Sequence, residues 1–447
     1  MPLSNALRRW LSHAAVAVAL AVPAFAQPVP KVPVDPYAPE AQVPPPWTLA
    51  PGPAPEVDGQ EAILVDAATG QELYARNADE PRPIASTTKI MTAILILESG
   101  GLDRKVTVSK NAEQTLYTAI HLKAGEKLTL HDLLVGILLR SANDACVAAA
   151  EFLDGSVAKF VERMNRRAGE LGLRNTHFMN PHGLNDPEHY SCARDLAILA
   201  RHAVRFPLFS ELVRSRKRVI ARQNPTGDRL IYNRSRLLWK MKDADGIKTG
   251  YTKQAGNCFV GSATRGGWRL ISVVLASHSV YPDTQRLLEY GFARYRRQVL
   301  AMKGARLAEA AVTHGTKPKV GLRALEAATV VVPREQQLRP EFRLPATTLV
   351  APVRPGTSVA KGEFVQGQDH LAEVPLGVEA PVAEIHPGLS ARMGGFLEGY
   401  PIPFLLLGMG LVILGYGTNP KAAVRRWSRL KKAGRGVDPR GPRNRRR

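Results

Sequence analysis

Cysteine is almost absent: Cys146, Cys192 and Cys258 are the only three in 447 residues. So small and odd a number cannot build a disulfide framework, and no two stand at the spacing of a metal site. All three are expected to be small buried apolar residues. Acidic charge is also scarce, with 39 Asp and Glu against 61 Lys and Arg, a net charge of +22. Half of that excess sits in the last 27 residues, which hold twelve Lys or Arg and one Asp. The remainder is only mildly basic. A uniform field suited to nucleic acid is excluded, and no nucleic-acid partner is expected.

Membrane-length apolar sequence is missing from the N-terminus. The apolar stretch Ala14 to Val22 is too short to span a bilayer. Arg8 and Arg9 precede it and Ala24-Phe25-Ala26 follows, which reads as a cleaved export signal over 1–26, the alternative being a short anchor. Residues 27–58 carry eleven prolines and predict a stiff extended tether. Charge is missing again from Gly399 to Pro420, around "FLLLGMGLVILGYG", with Tyr400 and Tyr416 near the ends and the basic tail behind. A transmembrane helix over 399–418 is expected, after a linker at 387–398. The tail 419–447 would then lie in the cytoplasm and everything before it on the exported side of the inner membrane. The competing reading is a helix lying on the membrane surface.

Between these ends, "EAILVDAATGQELYARN" places two alternating apolar runs around a turn, a hairpin signal. "LTLHDLLVGILLRSANDACVAAAEFLDG" predicts two helices broken at "RSAND", and "VAKFVERMNRRAGELGL" a further amphipathic helix. Beyond residue 246 glycine-punctuated sequence predicts two or three strands, and "TQRLLEYGFARYRRQVLA" a closing helix. Residues 59–298 therefore read as an α/β layered domain, and 299–386, with short strands, prolines and turns, as a small all-β domain.

The helix that begins "STTKIMTAILILE" lacks a polar stripe, yet Lys89 stands at its head, three residues after Ser86. Residues i and i+3 share a helix face. A lysine there can take the seryl proton if burial and neighbouring positive charge bring its pKa down from ~10.4 toward neutrality. Otherwise Ser86 is a helix cap and Lys89 reaches out to solvent. Four Ser-x-x-Lys sequences occur in the chain, and only this one precedes a wholly apolar helix. Ser141-Ala142-Asn143 lies at the break between two helices, where a hydroxyl and an amide can both face a cleft. Lys248-Thr249-Gly250 occurs once, opening a strand where glycine permits close approach of a ligand. A second lysine near Lys89 is expected to push it toward the neutral form, and a hydroxyl beside a cation suits a carboxylate.

These three motifs in this order are those of penicillin-binding proteins and β-lactamases. The sequence resembles the low-molecular-mass penicillin-binding proteins of D-alanyl-D-alanine carboxypeptidase type. "ILVDAATGQELYARNADEPRPIASTTKIMTA", "LLRSANDACVAAAE", "NTHFMNPHGLND", "DGIKTGYTKQAGNCFV" and "LLEYGF" follow in family order, and "LVAPVRPGTSVAKGEF" resembles the family's C-terminal β-module. The resemblance implies a β-lactamase/transpeptidase-like domain, an antiparallel sheet with helices. It implies Ser86 as the acylated nucleophile, Lys89 as its base, and Ser141 and Asn143 assisting proton transfer and holding the substrate amide. Lys248 and Thr249 would bind the terminal carboxylate beside Gly250, and the backbone N–H groups of Ser86 and Tyr251 would form the oxyanion hole. The implied substrate is the peptidoglycan stem peptide, β-lactams would bind covalently at Ser86, and no metal or organic cofactor is implied. Tyr251 replaces a histidine common after Lys-Thr-Gly. No arginine stands before the "LLEYGF" helix until Arg286.

Two other functions fit the same motifs. A β-lactamase would need a source of deacylating water, and the Glu-x-x-x-Asn signature of class A enzymes is missing between Ser141 and Lys248. A catalytically idle wall-binding module would be expected to lack a motif residue, and none is lacking. His182 is expected to be structural, His177, His182 and His189 lack zinc spacing, and Asp144 is expected to cap the helix after it.

Overall fold

The alternating runs around Ala67–Gly70 close into the expected hairpin. Strand β1 (Glu61–Asp66) pairs antiparallel with β2 (Glu72–Arg76). Asp66 Oδ2 accepts from the Thr69 N–H at 2.7 Å and the Thr69 hydroxyl at 2.9 Å, the side-chain bond that makes Asp a turn former. The computed structural model describes residues 53–385 apart from 223, 225 and 226. The export signal, most of the tether, the 387–398 linker, the 399–418 span and the basic tail lie outside those residues. Among the described residues no helix is long and apolar enough to cross a membrane.

Three more strands complete the sheet: β3 (Ala244–Thr252), β4 (Gly256–Arg265) and β5 (Trp268–Ser277). The order is β2-β1-β5-β4-β3, antiparallel throughout, which leaves β3 at an edge. Period-2 alternation divides the sheet's side chains between two cores. Ile63, Val65, Ile271, Val273 and Leu275 join the core that holds helix α1 (Lys89–Ser99) and helix α2 (Asn143–Asp154). Ala62, Leu64, Leu270 and Val274 face the other core, with Leu287, Leu288 and Phe292 of helix α3 (Val280–Arg294). Covered on both faces, β1 and β5 have no polar side, which is why their sequences run nearly without polar residues.

Helix α1 is buried from Lys89 through Ile96. The break at "RSAND" is real. The helix Leu130–Val135 widens into a π-type turn, Gly136–Arg140, and Ser141 adopts the left-handed conformation at φ 69°. The chain then enters α2. Val157–Glu170 forms the expected amphipathic helix. The closing helix differs from expectation: α3 ends at Arg294, and Tyr295–Ala301 is a strand paired antiparallel with Ala328–Pro333. Pairing with the valine-rich "ATVVVP" overrides the helical leaning of Arg, Gln, Leu and Ala.

No helix follows Arg294 among the described residues, so an α/β domain is followed by an all-β one. By compactness the chain forms two interleaved units. The first takes residues to Ala305 with Glu326–Arg343 and Gly362–Val374. In it Glu341, Phe342 and Arg343 lie opposite Val365, Phe364 and Glu363. The second takes Arg306–Leu325, Leu344–Lys361 and the chain from Pro375. There Arg306–Thr313 pairs antiparallel with Lys319–Ala324 and parallel with Thr348–Val350.

Candidate active site

Ser86 sits inside a 3-10 turn, Ala85–Thr88, that leads directly into α1. It makes no cap bond. With three residues per turn, positions i and i+3 eclipse, so Ser86 lies straight above Lys89. Ala85 enters the turn at φ 48°, and three hydroxyl bonds hold it there. Thr87 Oγ1 donates to Ile84 O at 2.7 Å and Thr88 Oγ1 to Ala85 O at 2.8 Å. His189 Nδ1 accepts from the Met179 N–H at 3.1 Å, so its Nε2 carries the hydrogen that reaches Thr88 Oγ1 at 2.8 Å. Burial lowers the pKa of His189 to about 4, which keeps the ring neutral for this role.

Lys89 has no exposed surface. Its Nζ stands 2.9 Å from Ser86 Oγ, 2.8 Å from Asn143 Oδ1 and 2.6 Å from His182 O. The last two are obligate acceptors, whereas the hydroxyl can donate or accept. A neutral amine therefore satisfies all three by giving its two hydrogens to the carbonyls and its lone pair to the Ser86 O–H. Lys89 is lowered to about 8, and desolvation is the leading cause; Cys146 and Asp144 oppose it and the charge of Arg234 adds to it. The expectation that a second lysine does this work needs correction. Lys248, buried as well, is itself lowered well below its ordinary value, first by desolvation and then by the charges of Lys89 and Arg234.

Asn143 is aimed by the segment before it. Its backbone N–H donates to Thr118 O at 2.7 Å and its Nδ2 to Leu116 O at 2.9 Å, which turns Oδ1 toward Lys89. Asp144 is not the N-cap residue of α2, a position held by Ala142 without a side-chain bond, but its Oδ1 does accept from the first-turn Ala145 N–H at 2.9 Å. The Asp144 carboxylate also accepts from the N–H groups of Ile120 at 3.2 Å and Leu122 at 3.0 Å, and so fixes the segment that orients Asn143. Arg222 clamps the same segment, donating to His121 O at 3.0 Å and pairing with Glu126 at 2.7 Å in full burial.

Lys248 Nζ donates to Ser141 Oγ at 3.0 Å and to Thr249 O at 2.9 Å, which joins the second and third motifs. At Gly250 a Cβ would stand 3.0 Å from both Ile84 O and Ser86 N, so the missing side chain lets β3 pass against the Ser86 turn. Gly183 is needed on the opposite side. It has φ 86°, and a Cβ would collide with Ala85 O at 1.9 Å. The turn it forms presents His182 O to Lys89. The His182 ring accepts from the Leu184 N–H at 3.3 Å, and burial lowers its pKa to about 3, which keeps the ring neutral. His177 has a separate partner, Glu188 O at 2.7 Å.

Ser86, Ser141, Asn143, Thr249, Gly250 and Tyr251 line one cleft of about 1240 Å³, with Lys89 and Lys248 buried behind it. All eight residues singled out in the sequence are thus brought together. Arg234 also lines the cleft, and sequence reasoning missed it because no spacing relates it to the motifs. Arg286 instead pairs with Asp283 within α3. The three cysteines are free and buried. A serine hydroxyl against a desolvated amine, with a second hydroxyl–lysine pair and a guanidinium in reach, can carry out acyl transfer on a carboxylate-bearing substrate.

A family model described as D-alanyl-D-alanine carboxypeptidase, Peptidase S11, matches residues 49–279. The chain belongs to this family. A model for the C-terminal domain of penicillin-binding protein 5 matches residues 295–384. D-alanyl-D-alanine carboxypeptidase DacC of Escherichia coli is 35% identical over 74% of this chain and 86% of its own length. DacF of Bacillus subtilis is 31% identical over 72% and 85%. Among solved structures, penicillin-binding protein 5 of Haemophilus influenzae superposes with a TM-score of 0.65 at 31% identity, covering 75% of this chain and all of that one. A mutant of the Streptomyces K15 DD-transpeptidase covers 54% of this chain, with a TM-score of 0.51 at 34% identity.

Proposed function

We propose that this S11-family protein is a serine D-Ala-D-Ala carboxypeptidase that removes the terminal D-alanine of peptidoglycan stem peptides. The observation that carries the reading is Lys89, buried, with two carbonyl acceptors and the Ser86 hydroxyl as its hydrogen-bond partners among the described residues. Ser86 Oγ attacks the penultimate carbonyl carbon as its proton passes to Lys89 Nζ. The oxyanion is held by the backbone N–H groups of Ser86 and Tyr251. Asn143 keeps Lys89 and the substrate amide in place. The leaving D-alanine nitrogen takes a proton from Lys248 through Ser141; water then attacks the ester carbon, giving a proton to Lys248, and Lys89 returns its proton to Ser86 Oγ as the ester C–O bond breaks. The terminal carboxylate lies against the Thr249 hydroxyl with Arg234 and Lys248 as its cations, Gly250 leaving it room. An anion there raises Lys248 back toward its charged form, and that charge in turn disfavours a proton on Lys89.

β-Lactams acylate the same serine in this reading. The full-length protein in detergent would be incubated with a pentapeptide ending in D-Ala-D-Ala, and released D-alanine measured beside the intact mass after benzylpenicillin. Release and a slowly lost adduct are expected, both absent in Ser86→Ala. Rapid loss of the adduct without D-alanine would instead indicate a β-lactamase, and neither signal an idle binding module. An export signal at 1–26 and a span at 399–418 would hold the catalytic domain on the outer side of the inner membrane; the uncharged stretch, and a basic tail whose charge suits anionic membrane lipid, support that location.

A further inference from the structure

The cleft has no counter-charge of its own: no Asp or Glu lines it among the described residues, although Arg234, Arg236 and Lys253 do. Elsewhere half-buried arginines are paired with acids, Arg167 with Glu98, Arg194 with Asp79 and Arg265 with Glu289. Arg234 donates to Thr118 Oγ1 at 3.2 Å and acts on both buried lysines, which assigns it to the reacting end. Arg236 and Lys253 are different. Both are exposed, and no side-chain hydrogen bond or ion pair joins either to a described residue.

Lys253 also stands in a telling register. Thr249 and Tyr251 face one side of β3, and Lys253, just beyond its end, continues the same two-residue period. Burial agrees: Lys248 and Gly250 are buried, whereas Tyr251 and Lys253 are exposed. The free edge of β3 runs along the cleft, so an extended peptide with its carboxylate at Thr249 passes Tyr251 toward Lys253. Four strand positions cover about 13 Å. Two residues back from the C-terminus cover about 7 Å of that. A long side chain on that residue closes the rest, about 6 Å.

We propose that Lys253 and Arg236 form a second anion subsite, which reads a side-chain carboxylate on the residue immediately before the D-Ala–D-Ala pair. The inference rests on the carboxypeptidase reading and narrows its substrate to stem peptides whose third residue ends in an acid. The subsite contributes binding and takes no part in bond making.

Two pentapeptides decide it, identical except that the third residue is L-2-aminopimelate in one and its ω-carboxamide in the other. The full-length protein in detergent is expected to favour the acid about two- to fivefold in kcat/KM at low salt, the range for exposed ion pairs. The difference should lie in KM and shrink as salt rises. In the Lys253→Ala/Arg236→Ala double variant the ratio should fall to about one, and Lys253→Arg should retain it, with benzylpenicillin acylation reporting a folded site. An equal rate for both peptides in the wild type, or a ratio that survives in the double variant, overturns the subsite while leaving the carboxypeptidase reading intact. Release from neither peptide overturns that reading and this one with it.

Discussion

A lysine with no exposed surface must find partners for its hydrogens or give up its charge, and Lys89 is arranged for the second. The sign of the resulting pH dependence is fixed. Lowered to about 8, Lys89 gains its reactive neutral form as pH rises, so the rate of acylation by benzylpenicillin should climb through about pH 8 and then level off. Stopped-flow or quenched mass measurements from pH 6 to 10 would give the profile. A flat profile would remove Lys89 from the proton transfer. Lys89→Arg, which keeps the charge and cannot lose it, should slow acylation by about 10²–10⁴-fold. The serine and the lysine were legible in the sequence because a polar pair three apart stands out at the head of an apolar helix. The third partner was not legible: His182 contributes its backbone carbonyl, and any residue can supply one. Arg234 was equally silent, since only the fold brings its charge to both lysines.

Elements, not single residues, set the distance between the motifs. The Ser86 turn and β3 meet at Gly250, where a Cβ would stand 3.0 Å from Ser86 N and 3.2 Å from the Ala85 side chain. Gly250→Ala forces strand and turn apart by a few tenths of an ångström in a site where misplacement of about 1 Å costs about 10²-fold. Acylation should fall about three- to tenfold while the thermal midpoint moves by only a few degrees. An unchanged acylation rate would mean that the approach has slack. The segment from Leu116 to Leu122 plays the matching part for Asn143, tied down by Asp144 and Arg222. The hairpin, the buried helix, the break at Ser141 and a run of two or three strands beyond residue 246 could all be read from periodicity and turn residues; the structure has three. The strand Tyr295–Ala301 could not, because its conformation comes from a partner some thirty residues away in sequence that local propensity does not register. Asp144 was half legible for a related reason. An acid at the start of a helix suggests a bond to its first turn, which Oδ1 makes to the Ala145 N–H, whereas only the tertiary path of residues 120–122 shows where the other bonds go.

At the scale of the whole molecule the charge is divided from the chemistry. Half of the net +22 lies in the last 27 residues, directly after an uncharged stretch from Gly399 to Pro420, and both lie outside the described residues. Two physical modes of attachment give different responses. A basic tail held to anionic headgroups contributes about 1 kcal/mol per Lys or Arg near the surface and is screened within a Debye length, so high salt would release the protein from membranes. A span of about 20 apolar residues is indifferent to salt and to alkaline carbonate and yields only to detergent. The proposed span predicts the second response for the full chain, and a freely soluble protein when the chain is cut after Ile385. It also predicts that protease added outside spheroplasts digests the catalytic domain and spares the tail. Release by 1 M salt alone would replace the span with a surface helix. Digestion of the tail from the outside would reverse the orientation and set the proposed active site on the wrong side of the membrane for the cell wall.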